Sequence, residues 1–271
     1  MSEFSRALIE RSGYESDLFA AVYDRYRLAP PRELLDILTL AAEVERPRVV
    51  VDLGAGTGLS SRAWAGRAER VIGVEPNPHM IERARSATQE PNVDYVEAYA
   101  ADTGLDGVAA DIVTCAQAFH WMEPGPVLAE AARLLRPGGV FTAYDYDVPP
   151  VVQPEVDDAF AAHLAARRTA RKRMQLEAGA ETWPKERHLE RIRDSGHFRF
   201  AREIVCHGFD KASAERIVGL AESLGGPRGI FGDAAPEVHA TFERLHEVVS
   251  RVIGDRTRTI VVCYRVRIGV K

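Results

Sequence analysis

Eleven residues, Arg48 to Gly58, constrain this chain more than any others. They read Arg-Val-Val-Val-Asp-Leu-Gly-Ala-Gly-Thr-Gly. Three consecutive β-branched residues among apolar neighbours fit a strand covered on both faces of a parallel sheet. Glycines at 54, 56 and 58 follow at once. A glycine costs more conformational entropy on folding than any other residue, so three in five positions imply a backbone that must bend tightly or touch a ligand. Parallel sheets place such ligands where a strand turns into its helix. The spacing narrows the choice. A dinucleotide fingerprint, Gly-x-Gly-x-x-Gly, would need its third glycine at 59, where Leu59 stands, so a nicotinamide oxidoreductase is disfavoured. No Gly-Lys-Ser/Thr follows either, which removes the phosphate-binding P-loop.

Further along, Val71-Ile72-Gly73-Val74-Glu75 reads as a second strand ending in an acid. Val93 to Ala98 alternates as a third, Asp111 to Ala116 forms a fourth leading into Gln117-Ala118-Phe119-His120-Trp121, and Val140 to Tyr144 forms a fifth after the turn Leu134 to Gly139. Helical periods separate them, at 60–68 and 78–86, the second with Pro78 in its first turn. Alternating strand and helix periods define a doubly wound α/β sheet whose ligand crevice lies beyond the carboxyl ends of its strands.

This pattern resembles the class I S-adenosylmethionine (SAM) dependent methyltransferases, and the resemblance extends over most of the chain. Asp52-x-Gly54-x-Gly56-x-Gly58 is similar to that family's first motif. The resemblance implies a Rossmann-like seven-stranded sheet with an antiparallel last strand, N-terminal helices, and a helical cap over the active site. It implies SAM as cofactor and S-adenosylhomocysteine as product. Glu75 would hold both ribose hydroxyls, since one carboxylate can accept two hydrogen bonds side by side. Ala101 and Asp102 would meet the adenine. Asp52, Gly54, Ala55, Gly56, Gly58, Pro76, Met80, Gln117 and Ala118 complete the expected cofactor contacts within the sheet. In small-molecule members a segment like Tyr23-Asp24-Arg25-Tyr26-Arg27 folds over the cofactor, so Tyr23 and Arg27 join the set. Tyr23 and Tyr26 fit equally well as core aromatics.

The resemblance to the small-molecule branch, which includes trans-aconitate methyltransferase and methylases of secondary metabolism, implies a small acceptor. A carboxylate, hydroxyl, amine or carbon nucleophile all remain open, because fold does not fix acceptor. His120 is the catalytic candidate, a base at the crevice edge with an ordinary pKa near neutrality. The alternative is a structural histidine that packs on Trp121 and hydrogen-bonds a neighbouring carbonyl, the commoner role of such a residue. Tyr144, Tyr146, Trp183 and His207 are candidates for the acceptor pocket, each also at home in a core or strand. Two other readings keep a SAM site without methyl transfer. One is a cyclase or decarboxylase that uses the sulfonium as a charge, the other a regulatory protein that senses SAM or S-adenosylhomocysteine.

The 271 residues are expected to form a single methyltransferase domain, 1–271, with N-terminal helices at 1–46 and a SAM-binding core at 47–147. Cap insertions are expected at 150–181 and 211–253, and closing strands within 184–207 and 257–269. A net charge of -5 argues against nucleic acid as partner. The basic run Arg167, Arg168, Arg171, Lys172, Arg173 reads as a solvated helix face, with an acidic partner or acceptor carboxylate as the alternative. Cys115, Cys206 and Cys263 are odd in number and widely spaced, which suits buried thiols and a reducing, cytoplasmic setting. No metal-ligand spacing occurs, and His239 with His246 reads as surface. No apolar run approaches the roughly 18 residues a membrane span needs. The N-terminal helices could pair two copies into a homodimer.

Overall fold

A computed structural model describes residues 17–107, 109–174, 182–224, 231 and 234–271. The chain divides into two compact units. Leu28–Tyr146, Thr182–Gly208 and Tyr264–Lys271 form the sheet unit, while Met1–Arg27, Asp147–Glu181 and Phe209–Cys263 form a helical unit.

The sheet unit begins with α2, Arg32–Ala41, after α1, Asp17–Tyr26, of the helical unit. Strands and helices then alternate as β1 Val49–Leu53, α3 Leu59–Trp64, β2 Arg70–Val74, α4 Pro78–Ala87, β3 Val93–Val96, β4 Ala110–Ala116, α5 Pro124–Leu134 and β5 Leu135–Tyr146. The later elements of the sheet are α7 His188–Asp194, β6 Phe200–Ala212 and β7 Arg258–Val270. The seven strands lie in the order β3-β2-β1-β4-β5-β7-β6. β1 pairs in parallel with β2 and β4, β2 with β3, and β4 with β5, whereas β7 runs antiparallel to β5. This is the doubly wound, Rossmann-like sheet expected from the alternation of periods. Its strand order reverses between β1 and β4, the place where such sheets bind ligands.

Burial explains the uninterrupted apolar strands. Val50, Val51 and Leu53 have no exposed surface because β1 is covered on both faces. Leu34, Leu35 and Leu38 of α2, Trp64 of α3, Ile81 of α4 and Leu128 of α5 are likewise buried. Phe119 packs edge to face on Phe141 in the core, 5.6 Å between ring centres, and Phe198 lies tilted against Phe141 at 5.7 Å.

Boundaries move where tertiary pairing overrides local signals. The turn expected at 134–139 is mostly strand: Leu135 pairs with Ala110, and Gly138 and Gly139 exchange hydrogen bonds with Lys271. Helix α3 stops at Trp64 instead of 68, since Gly66 follows. β7 runs to Val270, one residue past the expected 269, because Val270 pairs with Val140 of β5. The three cysteines are free, in β4, β6 and β7.

The helical unit contains α1, α6 Pro154–Arg173, α8 Ala214–Ser223 and α9 Pro236–Val252. It gathers much of what was expected as N-terminal helices and cap insertions; residues 1–16, 175–181, 225–230, 232 and 233 of those stretches lie outside the described residues. Gly219 lets α8 approach Tyr26, whose ring a Cβ there would meet at 2.5 Å. The basic run on α6 needs correcting at its first member. Arg168, Lys172 and Arg173 are exposed as expected, but Arg167 is buried with its guanidinium 5.0 Å over the Phe231 ring. His239 and His246 are exposed on α9. Among the described residues no cluster could hold a metal, and no helix is long and apolar enough to cross a membrane.

Asp111 ties three strand beginnings together. Its carboxylate accepts from Arg136 Nε at 2.6 Å and from the Arg48 and Val49 amides at 2.7 and 3.3 Å, while Arg136 also donates to the Ala42 carbonyl. Asp111→Ala would strand these donors, and a loss of about 2–3 kcal/mol is expected from urea denaturation.

Candidate functional site

The site is built where β1, β2 and β4 end. After Leu53 the chain turns back on β2, with the Gly54 and Ala55 amides both donating to the Val74 carbonyl at 2.8 and 3.0 Å. The three glycines serve three purposes. At Gly54 a Cβ would press on Met122 Cε at 2.5 Å and Ala118 Cβ at 2.7 Å, so its bareness lets the turn after β4 close in. At Gly58 a Cβ would collide with the Tyr95 hydroxyl. Gly56 differs: nothing lies within 4 Å of where its Cβ would be, and its φ of +56° favours glycine. Bare main chain there borders open space.

Glu75 closes the turn from β2. Its carboxylate accepts from the Gly56 amide at 2.8 Å and the Asn77 amide at 2.9 Å, leaving each oxygen further acceptor capacity. Asn77 in turn caps α4 by accepting from the His79 and Met80 amides, which fixes Pro76 and Met80 beside Glu75. Burial pushes Glu75 up to about 7, opposed by the amides of Asn77 and Gly56.

The structure gives Asp52 a different task from the direct ligand contact expected of it. The residue has no exposed surface, and its two oxygens accept from the hydroxyls of Thr114 and Ser61, both at 2.7 Å. Burial raises its pKa above the ordinary carboxylate value. It braces the turn from inside, joining β1 to β4 and α3.

Beyond β4, Gln117 adopts a left-handed φ of 55° and its amide donates to the Tyr144 carbonyl at 2.9 Å. Ala118 leads into the short 3-10 turn Phe119–Trp121, and the His120 and Trp121 rings lie 5.1 Å apart. Ala101 and Asp102 are exposed in the turn after β3, with the Asp102 amide bonded to the Tyr99 carbonyl. Gly54, Ala55, Gly56, Gly58, Glu75, Pro76, Met80, Gln117, Ala118 and His120 thus gather at the carboxyl ends of adjacent strands. Tyr23 and Arg27 belong to the helical unit, where the Arg27 guanidinium lies 4.6 Å over the Tyr23 ring and donates to the Ser223 carbonyl. Of the acceptor candidates, Tyr144 is buried and shares a 2.7 Å hydrogen bond with Ser60, Tyr146 packs edge to face against Tyr264, and His207 is exposed on the edge strand β6. Trp183 comes nearest, its amide donating to the His120 carbonyl at 2.7 Å.

Sequence reasoning missed Tyr95, whose ring fills the space above Gly73 and Gly58. A glycine inside a strand was the available signal. It also missed Asp145, Lys185 and Arg267. Lys185 Nζ lies 2.6 Å from one Asp145 oxygen, and Arg267 donates to the other at 2.9 Å.

Comparison with known proteins agrees with this architecture. Residues 51–143 match a family model described as a methyltransferase domain. An uncharacterized methyltransferase of Mycobacterium bovis is 39% identical over 117 residues, 43% of this chain and 46% of the relative. Demethylmenaquinone methyltransferase of Clavibacter sepedonicus is 34% identical over 104 residues, 38% of this chain and 42% of the relative. The chain spans about half the length of the curated relatives it matches. Among solved structures, one from Anaeromyxobacter dehalogenans, itself provisionally assigned as a type II methyltransferase, superposes with a TM-score of 0.66 at 26% identity. That alignment covers 90% of this chain and 98% of the other. Haemonchus contortus phosphoethanolamine N-methyltransferase 2, in complex with SAM, shares the fold at a TM-score of 0.56 and 15% identity, over 100% of this chain and 60% of that one. Residues 51–143 thus match a methyltransferase domain, and the sheet has the Rossmann-like fold of class I SAM-dependent methyltransferase structures.

Glu75 gives the site a pH signature. Unfolded, it titrates as an ordinary glutamate near 4.5; folded, near 7. The folded state therefore holds the extra proton between those values, and stability from this group falls as pH rises from about 4.5 to about 7, by roughly 3 kcal/mol. Chemical denaturation at pH 5 and pH 7.5 should show this slope in the ligand-free protein, and Glu75→Gln should flatten it.

Proposed function

We propose that this protein transfers a methyl group from SAM to a small-molecule acceptor at the strand ends of the sheet unit. One observation carries the reading. The open space against bare main chain at Gly56 adjoins a buried carboxylate, Glu75, at the end of the next strand. That pairing suits a ligand with a polar chain at one end and a vicinal diol at the other. Gly56 would border the amino-acid part of SAM, Glu75 the ribose hydroxyls, and Met80, Ala101 and Asp102 the adenine side. Gln117 and Ala118 would flank it from β4.

When bound, SAM supplies an electrophilic methyl group on a sulfonium whose leaving group departs neutral. The protein's main task is then to align the acceptor, and fixed orientation is worth roughly 7–11 kcal/mol in favourable systems. His120 is the proposed base. It follows β4 at the crevice edge and would take a proton from any acceptor that must lose one. A small acceptor accords with the net charge of -5 and with a relative named for a quinone-type substrate. Formation of S-adenosylhomocysteine together with a methylated product, followed by mass spectrometry, separates methyl transfer from sensing, cyclisation or decarboxylation.

Gly56→Val places a branched side chain in the open space, and SAM binding measured by calorimetry should be abolished while the circular dichroism spectrum is retained. Undiminished affinity would remove the cofactor from this turn. With an acceptor that loses a proton, His120→Asn should lower kcat at least about tenfold at saturating substrates. A near wild-type kcat would eliminate His120 as the base.

A further inference from the structure

The sheet unit contains a group of charges for which cofactor binding has no use. Asp145, near the end of β5, is buried, and its two oxygens are held differently. Oδ2 accepts from Arg267 at 2.9 Å, and Arg267 is itself buried and bonded through Nε to Glu203 at 2.6 Å. That half of the carboxylate is fixed. Oδ1 faces the Lys185 ammonium at 2.6 Å and the His120 ring, whose Nδ1 lies 3.8 Å away. Lys185 also reaches Gln117 Oε1 at 3.3 Å, so its ammonium stands between two acceptors. His120 and Lys185 are held in register by the backbone, because the Trp183 amide donates to the His120 carbonyl two residues before Lys185.

We propose that Asp145 is a positioning residue that stabilises protonated His120, and that Lys185, by occupying the same oxygen, keeps His120 neutral in the resting site. This rests on reading His120 as the base of a methyl-transfer site. The proton leaving an acceptor ends on the imidazole, and Asp145 supplies the counter-charge as Lys185 turns toward Gln117. The arrangement suits an acceptor that must lose a proton, in contrast to a carboxylate, which arrives without one. The other charged and titratable groups around this pair are Arg267 and Glu203 behind Asp145, and Glu186, His188 and Arg191 beside Lys185. His188 is held neutral: burial, then Arg267, Arg191 and Lys185, bring it down to about 3. It packs on Phe119 at 4.8 Å between ring centres and would not compete for the proton.

The test is an NMR pH titration of the His120 ring in the full chain, its resonance assigned by loss in His120→Asn. Asp145→Asn should lower the midpoint by about one pH unit and Lys185→Gln should raise it by at least about half a unit, the scale expected for a charge within about 4–6 Å. Asp145→Glu, which keeps the charge, should stay close to wild type. Midpoints within about 0.2 of wild type in both Asp145→Asn and Lys185→Gln would overturn the proposal. If Asp145→Asn fails to fold, Lys185→Gln decides alone, since that side chain is about a third exposed. SAM calorimetry on the wild type keeps the two readings apart. Binding with unmoved midpoints defeats only the coupling, whereas absent binding defeats the methyl-transfer reading.

Discussion

A carboxylate with no exposed surface holds the whole arrangement together. Asp52 accepts from Ser61 and Thr114, so the last residues of β1 are tied at once to the helix that follows and to the strand alongside. Burying a carboxylate is costly unless it is hydrogen-bonded, and a hydroxyl donor 2.7 Å from each oxygen offsets part of that cost. With that anchor in place, the chain beyond Leu53 can turn through three glycines without side chains of its own to hold it. Glu75 then reaches across from the next strand to grip the turn at the Gly56 amide.

The two carboxylates therefore divide the labour. Asp52 is sealed and shapes the turn; Glu75, at 8% exposure, reaches the edge of the open space. Both are raised by burial, and each disfavours the charge of the other. Hydroxyl donors that hydrogen-bond to the ionised carboxylate of Glu75 would favour its charged form. On the far side of the switch point the charges are balanced differently, with Asp145 and Glu203 matched by Arg267 and Lys185. One flank is short of positive charge, the other neutral and adjustable.

Much of this was legible in residue order because the signals are local. A run of valines next to alternating helical periods can only be satisfied by a two-sided parallel sheet, and glycine spacing at 54, 56 and 58 narrows the turn. The helix Pro236–Val252 lies inside the stretch expected at 211–253, and Pro236 stands in its first turn, where a missing N–H costs nothing. Failures came where partners are distant in sequence. Arg167 reads as part of a charged face, yet it turns inward onto Phe231, 64 residues away in the chain. Leu135 to Gly139 reads as a turn, yet Ala110 and Lys271 draw it into a strand.

Residue order by itself determined the sheet class, the glycine turn and the acid at the end of β2, because strand period, helix period and glycine freedom are properties of neighbouring residues. Tertiary structure alone decided that Gly56 borders open space while Gly54 and Gly58 are closed by Met122, Ala118 and Tyr95. It also decided that Asp52 is sealed, and that Asp145, Lys185 and Arg267 meet beside His120. The reason is physical: whether a side chain faces solvent, a neighbour or a void depends on distant chain segments, 122 residues apart for Asp145 and Arg267, which no local pattern encodes.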